Sequence, residues 1–170
     1  EPVRAFPAEF LAEAGAGGVA KDELKAENAA AVAKGCDNLK RHIENVNKFG
    51  VPAVVAVNKF ITDTDAEIAE VQKAAESMGT KAFLCTHWAD GGKGTEQLAH
   101  HVVKVIDEGK ANFKPLYPDD MKLRDKVKTI ATEIYRAADI SCDASVETQF
   151  KDLEAAGFGQ GIAGRGDPVA

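Results

Sequence analysis

The sequence is poor in several features that mark specialised classes of protein. It contains no apolar run near the roughly 20 residues that a membrane-spanning helix needs, so we expect no membrane segment. A basic excess is also lacking, since the net charge is −6, which disfavours nucleic acid and anionic membranes as main partners. The first residues, EPVRAFPAEF, do not place an apolar block after a basic start, so no secretory signal is expected.

Cysteine and metal-ligand patterns are equally sparse. The three cysteines, Cys36, Cys85 and Cys142, are odd in number and form no CxxC pair, which predicts buried free thiols and a reduced, cytoplasmic compartment. His100 and His101 are adjacent on a predicted helix and point about 100° apart, so they cannot chelate one ion together. We therefore predict no metal site, and no residue is assigned to catalysis.

What the sequence does contain is typical of a folded α/β protein. The chain has 170 residues, 45% of them hydrophobic and 28% charged, which suffices for one domain with a buried core. The run VPAVVAV at 51–57 is apolar without alternation, apart from one proline, which is typical of a strand buried on both faces in a parallel sheet. Asn58, Lys59 and Phe60 follow at its carboxyl end, where open α/β sheets bind ligands.

Helical patterns flank this strand. An amphipathic stretch at 22–49 precedes it, and Gly35 within that stretch is a candidate break between two helices. Thr64 and Glu67 form a capping box that begins the helix after the strand. Residues 81–86 are a second short apolar strand. Strand, helix and strand together predict a βαβ unit.

The second half of the chain is predicted to be mainly helical. A glycine loop at 89–94 leads into a helix that begins after Thr95 as its cap. A third, brief strand is predicted at 139–142, and two further helices at 121–136 and 144–156. Apolar side chains are expected to face inward on the helix after Thr95 and on the helix at 121–136; they are Leu98, Val102, Val105, Ile106, Leu123, Val127, Ile130 and Ile134.

This pattern defines the predicted fold class and domain organisation. Two or three strands against five helices make a small sheet with unpaired edges, which native proteins normally cover or extend. We predict an α/β fold in which a Rossmann-like βαβ unit, with a small parallel sheet flanked by helices, is part of a larger structure. The expected organisation is an irregular arm at 1–18, one α/β domain at 19–159 and a flexible tail at 160–170.

Both predicted strands end in aromatic residues. Phe60 follows the first strand and Trp88 the second, and consecutive parallel strands joined by one crossover lie close together, so both rings leave the same sheet edge. Side chains that splay from strands some 4.8 Å apart can hold ring faces roughly 7 Å apart, which suits a purine or a pterin. The pattern leaves open the alternative that both rings belong to the core under a neighbouring helix.

The segment GGKGT partly matches a phosphate-binding loop. A Walker loop is GxxxxGK[ST], whereas Lys93 is followed here by Gly94, so the hydroxyl that would bind Mg²⁺ is misplaced. The backbone amides of a glycine loop that leads into a helix can still attract an anion. Two interpretations of Gly91, Gly92, Lys93 and Gly94 therefore remain: an anion-binding loop, or a simple turn from loop to helix.

Several blocks that occur in order closely resemble the formate–tetrahydrofolate ligases. They are KAENAAAVAKGCDNLKRHIENVNKFGVPAVVAVNKFITDTDAEI, CTHWADGGKG, LYPDDMKLRDKVKTIATEIYRAADI and EAAGFG, and the resemblance covers about 18–159. It implies part of a three-domain, ATP-dependent ligase of one-carbon metabolism. That family phosphorylates formate with ATP and transfers the formyl group to tetrahydrofolate, giving 10-formyltetrahydrofolate.

The resemblance also implies which residues hold the folate. In that family an aromatic residue at the end of an NxF strand and the tryptophan of a WAxGG block hold the pterin between them, with a leucine four residues before the tryptophan. Those positions are Phe60, Trp88 and Leu84 here. Asn58 matches the family's strand end as well.

Departures from the family pattern define the expected limits of this chain. The family's ATP loop lies ahead of the matching region, and residues 1–170 contain no such loop, so ATP and Mg²⁺ are expected to bind elsewhere in the full-length enzyme. The segments before 17 and after 159 do not follow the family, which predicts truncated or frame-shifted ends. We therefore expect a folate-binding part that is inactive alone. The alternative is a non-catalytic remnant or structural domain that packs on a partner, as a homo-oligomer or against the missing domains.

Overall fold

The computed structural model describes residues 26–159, so the predicted arm at 1–18 and tail at 160–170 lie outside the described residues. The chain divides into two compact units, 1–112 and 113–170. The described elements of the first unit are α1 (Ala29–Lys48), β1 (Val55–Asn58), α2 (Asp65–Ser77), β2 (Ala82–Cys85), α3 (His87–Asp90), a 3₁₀ turn (Gly91–Thr95) and α4 (Glu96–Asp107). Those of the second are α5 (Leu123–Glu133) and α6 (Ala144–Ala155).

The two strands form the predicted parallel sheet. Val55 is opposite Ala82 and Asn58 is opposite Cys85, with α2 between the strands in the chain, so the βαβ arrangement and the α/β class are confirmed. The strand was predicted to begin at 51, whereas β1 begins four residues later, at Val55. Pro52 lies outside the ladder, as expected for a residue that has no N–H to donate.

Helix α1 is continuous, so the predicted break at Gly35 is wrong. The helix begins after Asn28, whose side chain accepts a hydrogen bond from the Ala31 N–H. Residues 22–25, where the helix was predicted to begin, lie outside the described residues. Gly35 is buried on the same face as Val32 and Cys36. The helix continues because packing of this buried face overrides the low helix propensity of a single glycine.

The capping box of α2 is confirmed. The Glu67 N–H donates to Thr64 Oγ1 at 3.3 Å, and the Thr64 N–H donates to Glu67 Oε2 at 3.0 Å. The Asn28 N–H also donates to Glu67 Oε1 at 2.8 Å. One carboxylate therefore satisfies backbone donors at the start of both α1 and α2.

The helices α1 and α2 provide the apolar core of the first unit. Val32 and Cys36 of α1 pack with Ala74 of α2, and Val71 contacts this cluster from a half-buried position. Such a cluster removes apolar surface from water at about 25 cal/mol per Å². The core therefore lies between these helices.

The prediction that β1 is buried on both faces is wrong. Ala56 is exposed, and the other residues of β1 are half-buried. Leu84 of β2 is also exposed, at 37%. A parallel strand is buried on both faces only when helices cover both sides of a wider sheet, and the described sheet has two strands.

Helix α4 departs from prediction at its cap and on its apolar side. Thr95 precedes the helix, but its hydroxyl donates to the Gly92 carbonyl at 3.1 Å and makes no capping bond. The ring of His101 contacts that of Phe83, with centroids 4.7 Å apart, and this contact holds α4 against β2. Val102 and Ile106 are exposed rather than inward, because the helix face that bears them lies away from this contact.

The second unit contains no strand within its described residues, so the predicted strand at 139–142 is wrong. A strand needs a neighbouring strand to pair its backbone groups, whereas here the N–H of Ile140 is satisfied by the adjacent side chain. The Ile140 N–H donates to Asp139 Oδ1 at 2.7 Å, and Lys128 Nζ lies 3.0 Å from the same carboxylate oxygen.

The apolar side predicted for α5 is also incorrect in part. Val127 is 42% exposed, whereas the adjacent Lys126 is only 1% exposed. Lys126 Nζ donates to the carbonyls of Asp119 and Gly159 at 2.7 and 3.0 Å and lies 5.5 Å from the centroid of the Tyr117 ring. Hydrogen bonds and the ring face together replace the water that this cation loses.

None of the helices within 26–159 combines the length and the apolar content that crossing a bilayer requires.

Candidate functional site

A pocket of about 440 Å³ lies at the carboxyl ends of β1 and β2. Pockets for small ligands usually measure about 300–1,000 Å³, so this volume lies within that range. Its lining residues are Asn58, Phe60, Ile61, Thr62, His87 and Trp88. The pocket therefore lies where the sheet topology predicts a ligand.

The turn after β1 fixes the backbone of Phe60 and leaves its ring free. The Phe60 N–H donates to Asp63 Oδ2 at 2.8 Å, and the Asp63 N–H donates back to the Phe60 carbonyl at 3.1 Å. The Phe60 side chain is 45% exposed. An exposed ring on a fixed backbone is suited to contact with a ligand.

Trp88 connects the ends of the two strands. It lies on the short helix α3, and its Nε1–H donates to the Lys59 carbonyl at 2.8 Å. The Lys59 N–H in turn donates to the Cys85 carbonyl at 3.1 Å, which extends the strand pairing by one bond. Trp88 remains 58% exposed, so neither ring is buried under a helix, contrary to the alternative of two core residues.

Asn58 contributes an unsatisfied acceptor to this pocket. Its Oδ1 is buried and has no hydrogen-bond partner among the described residues. Buried polar atoms are nearly always paired, and this orphaned acceptor would gain a partner if the side chain turned toward the pocket and met a ligand N–H. The structure thus brings Asn58, Phe60 and Trp88 together around one pocket.

Leu84 and the glycine segment lie outside the residues that line the pocket. Leu84 is opposite Val57 on the sheet, one residue before β2 ends at Cys85. Of the loop predicted at 89–94, residues 89 and 90 belong to α3, and 91–94 lie in the following 3₁₀ turn, where 91–93 are exposed and Gly94 is half-buried. A folate contact by Leu84 and anion binding by the turn stay predictions.

Ile61, Thr62 and His87 line the pocket, although none of the three was predicted as a folate contact. Ile61 is 85% exposed, although it is a large apolar residue. Ile61 follows Phe60 in the chain, Thr62 follows Ile61, and His87 precedes Trp88. Position directly after a strand end was therefore the signal that could have identified them.

The thiol next to the pocket is not poised as a nucleophile. Cys85 is buried at the end of β2, and burial raises the pKa of its thiol. Burial likewise raises the pKa of the Cys36 thiol, outweighing the opposing effect of Lys40. Both thiols are free and stay protonated at neutral pH, whereas nucleophilic attack requires the thiolate.

The described residues contain no group of three or more His, Cys, Asp or Glu side chains arranged to hold a metal ion. The lining of the pocket is instead aromatic and aliphatic, with amide, hydroxyl and imidazole groups beside it. Such a site can bind a flat, partly polar heterocycle by stacking and hydrogen bonding.

Comparison with known proteins gives a consistent match. The family profile of formate–tetrahydrofolate ligase matches residues 10–162. The chain is 57% identical over 143 residues to the formate–tetrahydrofolate ligase of Granulibacter bethesdensis, covering 84% of this chain and 25% of that protein. It is 55% identical over 142 residues to that of Ruegeria pomeroyi, with coverage of 84% and 25%.

A third relative, the formate–tetrahydrofolate ligase of Maricaulis maris, is 52% identical over 143 residues, with coverage of 84% of this chain and 26% of that protein. The chain therefore spans about a quarter of the length of the curated relatives it matches.

Proposed function

The chain belongs to the formate–tetrahydrofolate ligase family, and on that premise we propose that its pocket binds the pterin ring of tetrahydrofolate between Phe60 and Trp88. The observation that carries the proposal is the placement of both exposed rings on one pocket at the ends of paired parallel strands. The pocket, rather than the family resemblance alone, supplies the physical basis.

The chemistry of the pocket fits a pterin. Stacking on each ring is worth about 0.5–1.5 kcal/mol beyond burial, and both rings have exposed surface to bury. A pterin also carries N–H donors, which would meet the unpaired Oδ1 of Asn58 once this side chain turns toward the pocket. The two contacts together distinguish a pterin from a purely apolar ring of similar size.

The complete ligase reaction requires more than this pocket. Joining formate to tetrahydrofolate with ATP passes through phosphoryl transfer, which depends on positioned cations and backbone donors around the phosphates. Residues 1–170 contain no GxxxxGK[ST] loop. We expect this polypeptide to bind the folate without releasing ADP, with ATP and Mg²⁺ bound by other parts of the family enzyme.

We further propose that residues 19–159 are the Rossmann-like, folate-side domain of a three-domain cytoplasmic enzyme. Its role in assembly is to pack on the other domains of the family enzyme or on a second copy, and the exposed apolar side of α4, formed by Val102, Val103 and Ile106, supports such packing. Sedimentation velocity over a range of concentrations tests for self-association.

Binding is tested through Trp88, the single tryptophan of the chain. Tetrahydrofolate, titrated without oxygen and corrected for its absorption, should quench the emission of Trp88 to saturation. Phe60→Ala should weaken binding about tenfold, since the loss of one stacked face is near 1.4 kcal/mol.

The matched control is Phe158→Ala, which removes another exposed phenylalanine that does not line the pocket. It should bind tetrahydrofolate as the unmodified chain does. Equal affinities of both variants, or quenching that never saturates, would contradict a pterin site at Phe60 and Trp88.

A further inference from the structure

We propose that Gly94 is a positioning residue for the pocket, because its lack of a side chain lets the 3₁₀ turn contact the backbone of Thr86 and His87 and so fixes the orientation of Trp88. The effect of Gly94 on ligand binding rests on the proposed folate site. Its effect on Trp88 does not depend on any ligand.

The close approach at Gly94 leaves no space for a side chain. A Cβ at this position would lie 2.6 Å from the Thr86 carbonyl carbon and 2.7 Å from both the His87 nitrogen and Thr86 Oγ1. Cβ atoms essentially never come within 3.0 Å of such atoms. Two of the three are backbone atoms, which cannot rotate away as a flexible side chain does. The Thr86 N–H also donates to the Gly94 carbonyl at 3.1 Å.

The contacted residues begin the helix that carries Trp88. The Thr86 carbonyl accepts hydrogen bonds from the Ala89 and Asp90 N–H groups at 2.9 Å, and Thr86 Oγ1 donates to Asp90 Oδ2 at 2.6 Å. A displacement of Thr86 and His87 therefore moves α3 as a whole. It also strains the 2.8 Å bond from Trp88 Nε1 to the Lys59 carbonyl, which joins the two strand ends.

Gly92, on the same 3₁₀ turn, does not share this constraint. A Cβ at Gly92 would have no heavy atom within 4 Å, and Gly92 does not have a positive φ. Gly94 does not have a positive φ either, so its requirement for glycine is steric rather than conformational. The two positions form a matched pair within five consecutive residues.

The experiment compares Gly94→Ala with Gly92→Ala in the full 170-residue chain. Without ligand, near-UV circular dichroism and acrylamide quenching report the environment of Trp88. We expect Gly94→Ala to change both signals and to weaken tetrahydrofolate binding roughly tenfold, or about 1.4 kcal/mol. Gly92→Ala, which retains every backbone amide, should match the unmodified chain in both ligand-free signals of Trp88.

The outcomes separate this inference from the proposed function. If the unmodified chain does not bind tetrahydrofolate, the folate proposal fails, while the ligand-free signals of Trp88 still decide the role of Gly94. If the chain binds and Gly94→Ala behaves like Gly92→Ala, the positioning role is overturned and the folate site stands.

A milder variant covers the case in which Gly94→Ala does not fold. Asp90→Ala, at an exposed residue, removes the bond from Thr86 Oγ1 without adding volume. We expect a smaller change of the Trp88 signals in the same direction. Unchanged signals in Asp90→Ala would then overturn the positioning of Trp88 through Thr86.

Discussion

Replacement of Lys126 by methionine should destabilise the unit at 113–170 by about 2 kcal/mol. Methionine keeps an unbranched stem of similar length but cannot donate a hydrogen bond. Lys126 is 1% exposed, and its ammonium donates to the Asp119 and Gly159 carbonyls. These two bonds join the connector before α5 to the residues after α6.

The magnitude follows from two opposing effects. Each carbonyl left without its donor costs about 1–3 kcal/mol, which sums to about 2–6 kcal/mol. Removing a buried ammonium recovers several kcal/mol of desolvation, which offsets part of that cost. The contact with the Tyr117 ring adds about 0.5–2 kcal/mol to the loss. The Asp119 and Gly159 carbonyls are neutral, and the balance of these opposing effects gives a net loss of about 2 kcal/mol.

Urea denaturation followed by far-UV circular dichroism measures the change. With a slope of about 1–3 kcal/mol per molar urea, a loss of 2 kcal/mol lowers the midpoint by about 1 M. Hydrogen exchange should become faster in the peptides of α5 and α6. Lys151→Met, at an exposed residue of α6, is the control and should change neither measurement. Equal stability of Lys126→Met and Lys151→Met would refute the reasoning.

Three further predictions address the first unit. Glu67→Ala removes the acceptor shared by the starts of α1 and α2 and should lower the free energy of unfolding by about 1–2 kcal/mol, whereas exposed Glu76→Ala on α2 should not. Iodoacetamide at pH 7 should modify half-buried Cys142 before Cys85, because burial raises the pKa of Cys85 and its thiolate forms only at higher pH; the reverse order by mass spectrometry would contradict this. Asn58→Ala should weaken tetrahydrofolate binding about tenfold in the same quenching titration, and unchanged affinity would exclude Asn58 as a ligand contact.

Sequence patterns that involve only a few neighbouring residues were sufficient to predict much of the structure of the first unit. The Thr64 and Glu67 pair predicts its capping box because both partners lie within one helical turn. The two apolar runs predict a parallel pair because the helix between them has the length of a crossover. The aromatic residues at the strand ends predict a common pocket for the same reason, since the topology alone brings both ends to one edge.

Features that depend on distant partners could not be predicted in this way. Lys126 is buried with a carbonyl acceptor that lies 33 residues further along the chain, which no local pattern reveals. Helical periodicity alone placed its neighbour Val127 on the inside, but Val127 is exposed. The segment 139–142 includes the β-branched residue Ile140 but has no adjacent strand to pair with, so it does not form a strand. Strand formation is decided by pairing, and pairing is not a local property.

The GGKG segment shows why residue type alone is ambiguous. A glycine-rich turn before a helix suggests backbone donors for an anion, yet its glycines satisfy different physical requirements. Gly91 has a φ of +61°, a conformation that side chains rarely adopt, whereas Gly94 permits a contact that any Cβ would prevent. Neither requirement involves a phosphate. Because the second one acts on the helix that holds Trp88, the glycine block and the tryptophan are coupled through packing, and substitutions in the block should be judged first by what they do to the ring.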